Sequence, residues 1–131
     1  DLIPDEAGTW LEVSSDLDLD RVFLVAPSSS VERVQANTNS SRGFAYAVST
    51  MGITGERTEL DRLAREVVEA VRDCSDVPAC VGVGVSTADQ VREVNSYSHG
   101  AIVGTAIIKA YEDAGLDGLV EKTRELAGGL G

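Results

Sequence analysis

Short apolar runs alternate with helical patterns along the whole chain, and that alternation is what most restricts its fold. Arg21-Val22-Phe23-Leu24-Val25-Ala26 is a continuous β-branched and aromatic run stopped by Pro27, as a strand covered on both faces would be. Residues 43–49, 79–83 and 100–103 read as further strands, and residues 1–4 as the end of an earlier strand with its loop. Between them, Asp5 and Glu6 place negative charge on the first turn of a helix that runs to about Ser15. Ser28, Ser29 and Ser30 offer N-caps for a short helix over residues 31–37. From Thr58 onward, Leu60, Leu63, Ala64, Val67, Val68 and Val71 form one apolar stripe, with Arg and Glu on the other faces. Thr87-Ala88-Asp89-Gln90 has the form of a capping box, opening a helix to about Tyr97. Two more helices, over residues 105–113 and 116–126, precede Gly128-Gly129.

Each strand-plus-helix unit spans about thirty residues or fewer, a length that requires parallel strands joined by right-handed crossovers. The fold class is therefore α/β, with parallel strands alternating with helices. Four such strands make half of a TIM (β/α)8 barrel. A flavodoxin-like open sheet is the alternative, and it fits less well with a short extra helix directly after Gly104-Thr105. Barrels use that addition to bind phosphate.

Two glycine signatures carry the functional signal. Gly82-Val83-Gly84-Val85-Ser86 and Gly100-Ala101-Ile102-Val103-Gly104-Thr105 each close an apolar run and open a helical pattern. Such turns aim backbone N–H groups and a helix N-terminus at one spot, which suits a phosphate dianion. The loops alone imply a phosphate held chiefly by backbone donors, without a lysine.

Bulk properties exclude other classes. With 131 residues the chain is one domain or less, and a net charge of −11 argues against nucleic acid or an anionic membrane as partner. No apolar stretch approaches a membrane span and nothing resembles a signal peptide, so a cytoplasmic protein is expected. Cys74 and Cys80 match no zinc or redox spacing and His99, the lone histidine, cannot complete a metal site with them. Reduced, semi-buried thiols are the expectation, with a disulfide as the alternative. The absence of an initiator Met before Asp1 suggests a fragment or processed piece.

Four pieces occur in order along the chain: Ala26-Pro27, Ser49-Thr50-Met51-Gly52-Ile53-Thr54-Gly55, Gly82-Val83-Gly84-Val85-Ser86 and Ala101-Ile102-Val103-Gly104-Thr105-Ala106-Ile107. With these the chain resembles the C-terminal half of the tryptophan synthase alpha subunit family. Arg42–Ser49 leading into Gly52-Ile53-Thr54-Gly55 is the strongest, and Asp1-Leu2-Ile3-Pro4-Asp5-Glu6 is similar to the end of that family's fourth strand. The resemblance covers essentially the whole chain, from the end of barrel strand four through strand eight and the terminal helices. It implies a lyase cleaving indole-3-glycerol phosphate to indole and glyceraldehyde 3-phosphate. It also implies a beta-subunit partner that carries pyridoxal phosphate and takes up the indole, with no cofactor or metal in this chain. The family's two catalytic carboxylates lie in its N-terminal half, so this segment carries no catalytic residue and should be inactive alone.

The same resemblance assigns Gly55, Gly84, Gly104 and Thr105 to the phosphate, Tyr46 to a substrate-facing position, and Thr54 to a loop that closes over the site. Gly52 and Gly55 would hinge that loop. Arg57 is read as an exposed charge rather than a phosphate clamp, Val83 as a pocket-lining residue, and Trp10 and Tyr111 as packing residues. His99 should lie at the opposite end of the barrel, and Glu66 and Glu69 on a solvated helix face. Phe23, Val25, Tyr46 and Val48 are expected on the barrel-interior face, to be covered by the missing N-terminal half-barrel or by a second copy. Two other functions remain open: a non-catalytic phosphate-binding half-barrel, and a different phosphosugar barrel enzyme.

Overall fold

The structure, a computed structural model, describes residues 2–48, 57–82 and 84–130. Within them β1 (Leu24–Val25), β2 (Ala45–Val48), β3 (Ala79–Gly82) and β4 (Gly100–Ala101) form a parallel sheet in the order of the chain. The helices are α1 (Gly8–Asp16), α2 (Val31–Ser40), α3 (Arg57–Cys74), α4 (Ala88–Asn95) and α5 (Thr105–Ala127). This unclosed run of β-α units in sequential order is half of a (β/α)8 barrel.

Register sorts the strand side chains onto two faces. Val25, Ala47, Val81 and Ala101 stand in one row, and Ala45 pairs with Ala79 beside it. Apart from the partly buried Ala101, these residues have no exposed surface, and they pack against Val34 of α2, Val67, Val68 and Val71 of α3, and Val91 and Val94 of α4. The alternate row, Leu24, Tyr46, Cys80 and Gly100, is only half-buried, as are Val48 and Gly82. Alanines on the helix face bring α3 close to the sheet, and the larger side chains are left for the opposite face. Burial pushes the Cys80 thiol above its ordinary range, which suppresses thiolate chemistry there. Both cysteines are free.

This register corrects one expectation. Phe23 and Val25 do not share a face with Tyr46 and Val48. They are buried, at 4% and 0% exposure, whereas Leu24 stands beside Tyr46 on the open side. A continuous apolar run has no period from which its facing can be read.

The outer strands are also shorter than their apolar runs. In the first run the Phe23 and Ala26 amides donate to Ser41 Oγ and Ser29 Oγ, both at 3.2 Å, and Arg21 forms an antiparallel bridge with Arg42. The flanking amides are thus used outside the parallel ladder. In the last run the Ile102 amide still donates to the Val81 carbonyl at 2.8 Å before the chain leaves the sheet. Leu2 and Ile3 form no strand, and Pro4–Glu6 makes a single 3-10 turn ahead of α1.

The helices follow their local signals. Ser30 caps α2 by accepting from the Arg33 amide at 3.4 Å, and α2 runs to Ser40 rather than Asn37. Thr87 and Gln90 form the capping box of α4. Non-helical backbone at Ala114 and Gly115 divides α5 between the two expected segments. Glu66 and Glu69 are exposed, as expected, and Glu66 pairs with Arg62. Trp10 and Tyr111 are 41% and 56% exposed, so neither is a core packing residue here. Ahead of β1, Arg21 ties α1 and α2 together by donating to Leu11 O (3.2 Å), Ser15 Oγ (2.7 Å) and Ser40 O (3.2 Å). The Arg65 guanidinium lies 4.0 Å from the Tyr97 ring centroid, and burial raises the Tyr97 phenol.

Candidate phosphate-binding site

The C-terminal ends of β2, β3 and β4 open into a cleft of about 950 Å³ lined by Tyr46, Gly84, Gly104 and Thr105. Four of the six expected binding residues are thus brought together. Thr54 and Gly55 lie outside the described residues, as do Gly52 and Val83, and the Arg57 side chain is likewise not described. His99 occupies the other end of the sheet, as expected. Its amide donates to the Ala79 carbonyl at 2.9 Å, and its Nδ1 accepts from the Ala79 amide at 3.1 Å.

The two helix N-termini that approach the cleft differ in what their amides are free to do. At α4 the Ser86 and Thr87 amides donate to Gln90 Oε1 at 2.6 and 3.3 Å, and the Gln90 amide donates to Thr87 Oγ1 at 3.3 Å. The capping box therefore uses the Thr87 and Gln90 amides at that helix start, and the Ser86 amide just ahead of it. At α5 the N-cap is Gly104, which supplies no side-chain cap. Its carbonyl accepts from Ile107 and Ile108, and among the described residues nothing caps the amides of the first turn ahead of them. Gly84, Gly104 and Thr105 are all exposed there. Gly84 has φ +53°, a left-handed conformation that turns the chain from β3 toward α4 and that other residues adopt only with strain. An anion in the cleft would meet the positive end of α5.

Tyr46 is held by a contact that local sequence does not reveal. Its hydroxyl and ring edge fill the space that a Cβ on Gly82 would need, so the bare backbone of β3 seats the ring of β2. The register makes the contact diagonal, because Tyr46 pairs with Cys80 and Val48 with Gly82. Lys109 and Lys122 also line the cleft, together with Asp113, Glu121 and Glu125. Lys122 is tied to Glu125 at 2.7 Å.

Half of a (β/α)8 barrel, with an uncapped helix N-terminus and a glycine turn at the strand C-termini, places the chain among (β/α)8-barrel domains, whose sites gather at that face. The chain belongs to the tryptophan synthase alpha chain family, whose sequence profile matches residues 1–128. The tryptophan synthase alpha chain of Mycobacterium avium is 49% identical over 130 residues, covering 99% of this chain and 48% of that protein. Aminoacrylate-bound tryptophan synthase from M. tuberculosis superposes with a TM-score of 0.87 at 44% identity, over 100% of this chain and 48% of its counterpart. The tryptophan synthase α2β2 complex of Pyrococcus furiosus aligns with a TM-score of 0.78 at 26% identity, over 98% of this chain and 52% of its counterpart. The chain spans about half the length of the curated relatives it matches.

Proposed function

We propose that this chain is the phosphate-holding, C-terminal half-barrel of an alpha-type lyase that cleaves indole-3-glycerol phosphate to indole and glyceraldehyde 3-phosphate. The observation that carries the reading is the convergence of Gly84 and the uncapped Gly104–Thr105 turn on one cleft beside Tyr46. Amide N–H groups and the α5 terminus would hold the phosphate, and the Thr105 hydroxyl would add a donor. Tyr46 would then stand against the remainder of the substrate. Thr54 and Gly55 join the site on the family resemblance, as part of a loop that closes over it.

The catalytic carboxylates belong to the N-terminal half of the barrel, which would complete the sheet across the half-buried face of Leu24, Tyr46 and Val48. A second copy of this chain is the other candidate for that face. The beta subunit, carrying pyridoxal phosphate, would receive the indole, and the assembly would work in the cytoplasm. Among the described residues, no helix is long and apolar enough to cross a membrane.

The chain alone is expected to show no turnover of indole-3-glycerol phosphate. Oriented acid–base groups each contribute about 10²–10⁴-fold, and the reading places both outside this segment. Indole release is followed with full-length enzyme rigorously excluded. Measurable turnover by the purified chain would contradict the division of labour between the two halves.

A further inference from the structure

The chain has only two lysines in 131 residues, and both line the cleft. They differ in what they are doing there. Lys122 has a side chain 22% exposed and is neutralised by Glu125. Lys109 is exposed and forms no ion pair among the described residues, although Asp113 lies one turn further along α5 and lines the same cleft.

Position gives the free lysine its direction. Lys109 follows Thr105 by four residues, so the two share a face of α5. Helical side chains lean toward the N-terminus, and the flexible four-carbon lysine stem spans much of the ~6 Å rise of that turn. Its ammonium is therefore carried toward the uncapped Gly104–Thr105 end. The surrounding charge gives it a task. A chain of net charge −11, with Asp113, Glu121 and Glu125 on the cleft wall, repels a dianion before the amides engage it. Neutral amides offset this only at contact.

We propose that Lys109 is a second, charge-bearing element of the phosphate site, pairing with the phosphate oxygens from the α5 side while the loop amides bind from the glycine side. This rests on the phosphate reading of the cleft and extends it, since the loops alone implied a site without lysine. The ligand class it selects is a dianionic phosphomonoester, and the added attraction depends on salt because the lysine is exposed.

Glycerol phosphate is titrated calorimetrically into the 131-residue chain and its variants at about 20 mM and about 300 mM salt. Lys109→Met is expected to weaken binding about tenfold at low salt and about twofold at high salt, and Lys109→Arg to stay within about twofold of the parent. Thermal melts of all the proteins identify a purely structural role: if Lys109 serves Asp113 instead, Lys109→Met lowers the melting temperature and leaves affinity unchanged. That outcome overturns the inference while the phosphate reading stands, provided Gly104→Val still abolishes binding. Absence of binding by the parent chain overturns both.

Discussion

Replacing Gly104 with valine is expected to abolish phosphomonoester binding and to leave the fold intact. A Cβ at this position meets no heavy atom within 4 Å, although the backbone pair φ −113°, ψ −82° lies outside the main allowed regions and costs a side-chain-bearing residue some strain. The new side chain therefore projects into the cleft rather than into the protein. Affinity should fall by about 100-fold or more, because two or more hydrogen bonds to a charged ligand are each worth about 1.5–3 kcal/mol. The melting temperature should fall by about 3–6 °C, the cost of about 1 kcal/mol of backbone strain in a domain of this size. Gly84→Val would be a less clean test, since its φ of +53° adds backbone strain to any steric effect. Calorimetry together with thermal melts checks the prediction, and unchanged affinity in a folded Gly104→Val protein would remove the α5 terminus from the site.

The second large effect concerns the seat of Tyr46. Gly82→Val places methyl groups where the Tyr46 ring and hydroxyl now lie, in a sheet whose other face is fully packed by helices. Overpacking of this kind costs about 1–3 kcal/mol. The ring must also leave its position at the cleft wall, so binding at Tyr46 is lost along with stability. If the steric conflict is specific to this pair, Tyr46→Ala should recover most of the stability in the Gly82→Val background while being neutral or destabilising in the parent. Urea midpoints of the four proteins give the coupling directly, with an expected size of about 1–2 kcal/mol. Additive effects would mean that Gly82 is required for some other reason.

These two glycines also mark how far the sequence can be read. Gly104 lies in a local signature, a glycine turn followed by a helix, and its place in the cleft follows from the alternation of strands and helices. Gly82 lies in the same kind of signature. Its partner, however, is a ring on a strand more than thirty residues earlier, brought close only by the register that pairs Tyr46 with Cys80. The capping box at Thr87, the apolar stripe of α3 and the break between the two segments of α5 are each set by residues within a turn or two of one another. They were legible for that reason. The ends of β1 were not, because Ser29 and Ser41 withdraw amides from the ladder, and neither serine announces its partner. Facing was misread at Phe23 and Val25, where every residue of the run is apolar and no alternation marks the buried side. Lys109 was legible in principle. Its four-residue spacing from Thr105 sets both on one face of α5.

Backbone amide chemical shifts, followed as glycerol phosphate is added, show which end of the sheet takes the anion. The largest changes should fall on Gly84, Gly104, Thr105 and Ala106, with smaller ones at Lys109. The Ser86 and Thr87 amides, already bonded to Gln90, should change little, and those at the His99 end of the sheet should not move. Saturable shifts centred on the His99 end, or no saturable shifts with glycerol phosphate in large excess, would contradict the assignment of this half-barrel as the phosphate-holding part of the enzyme.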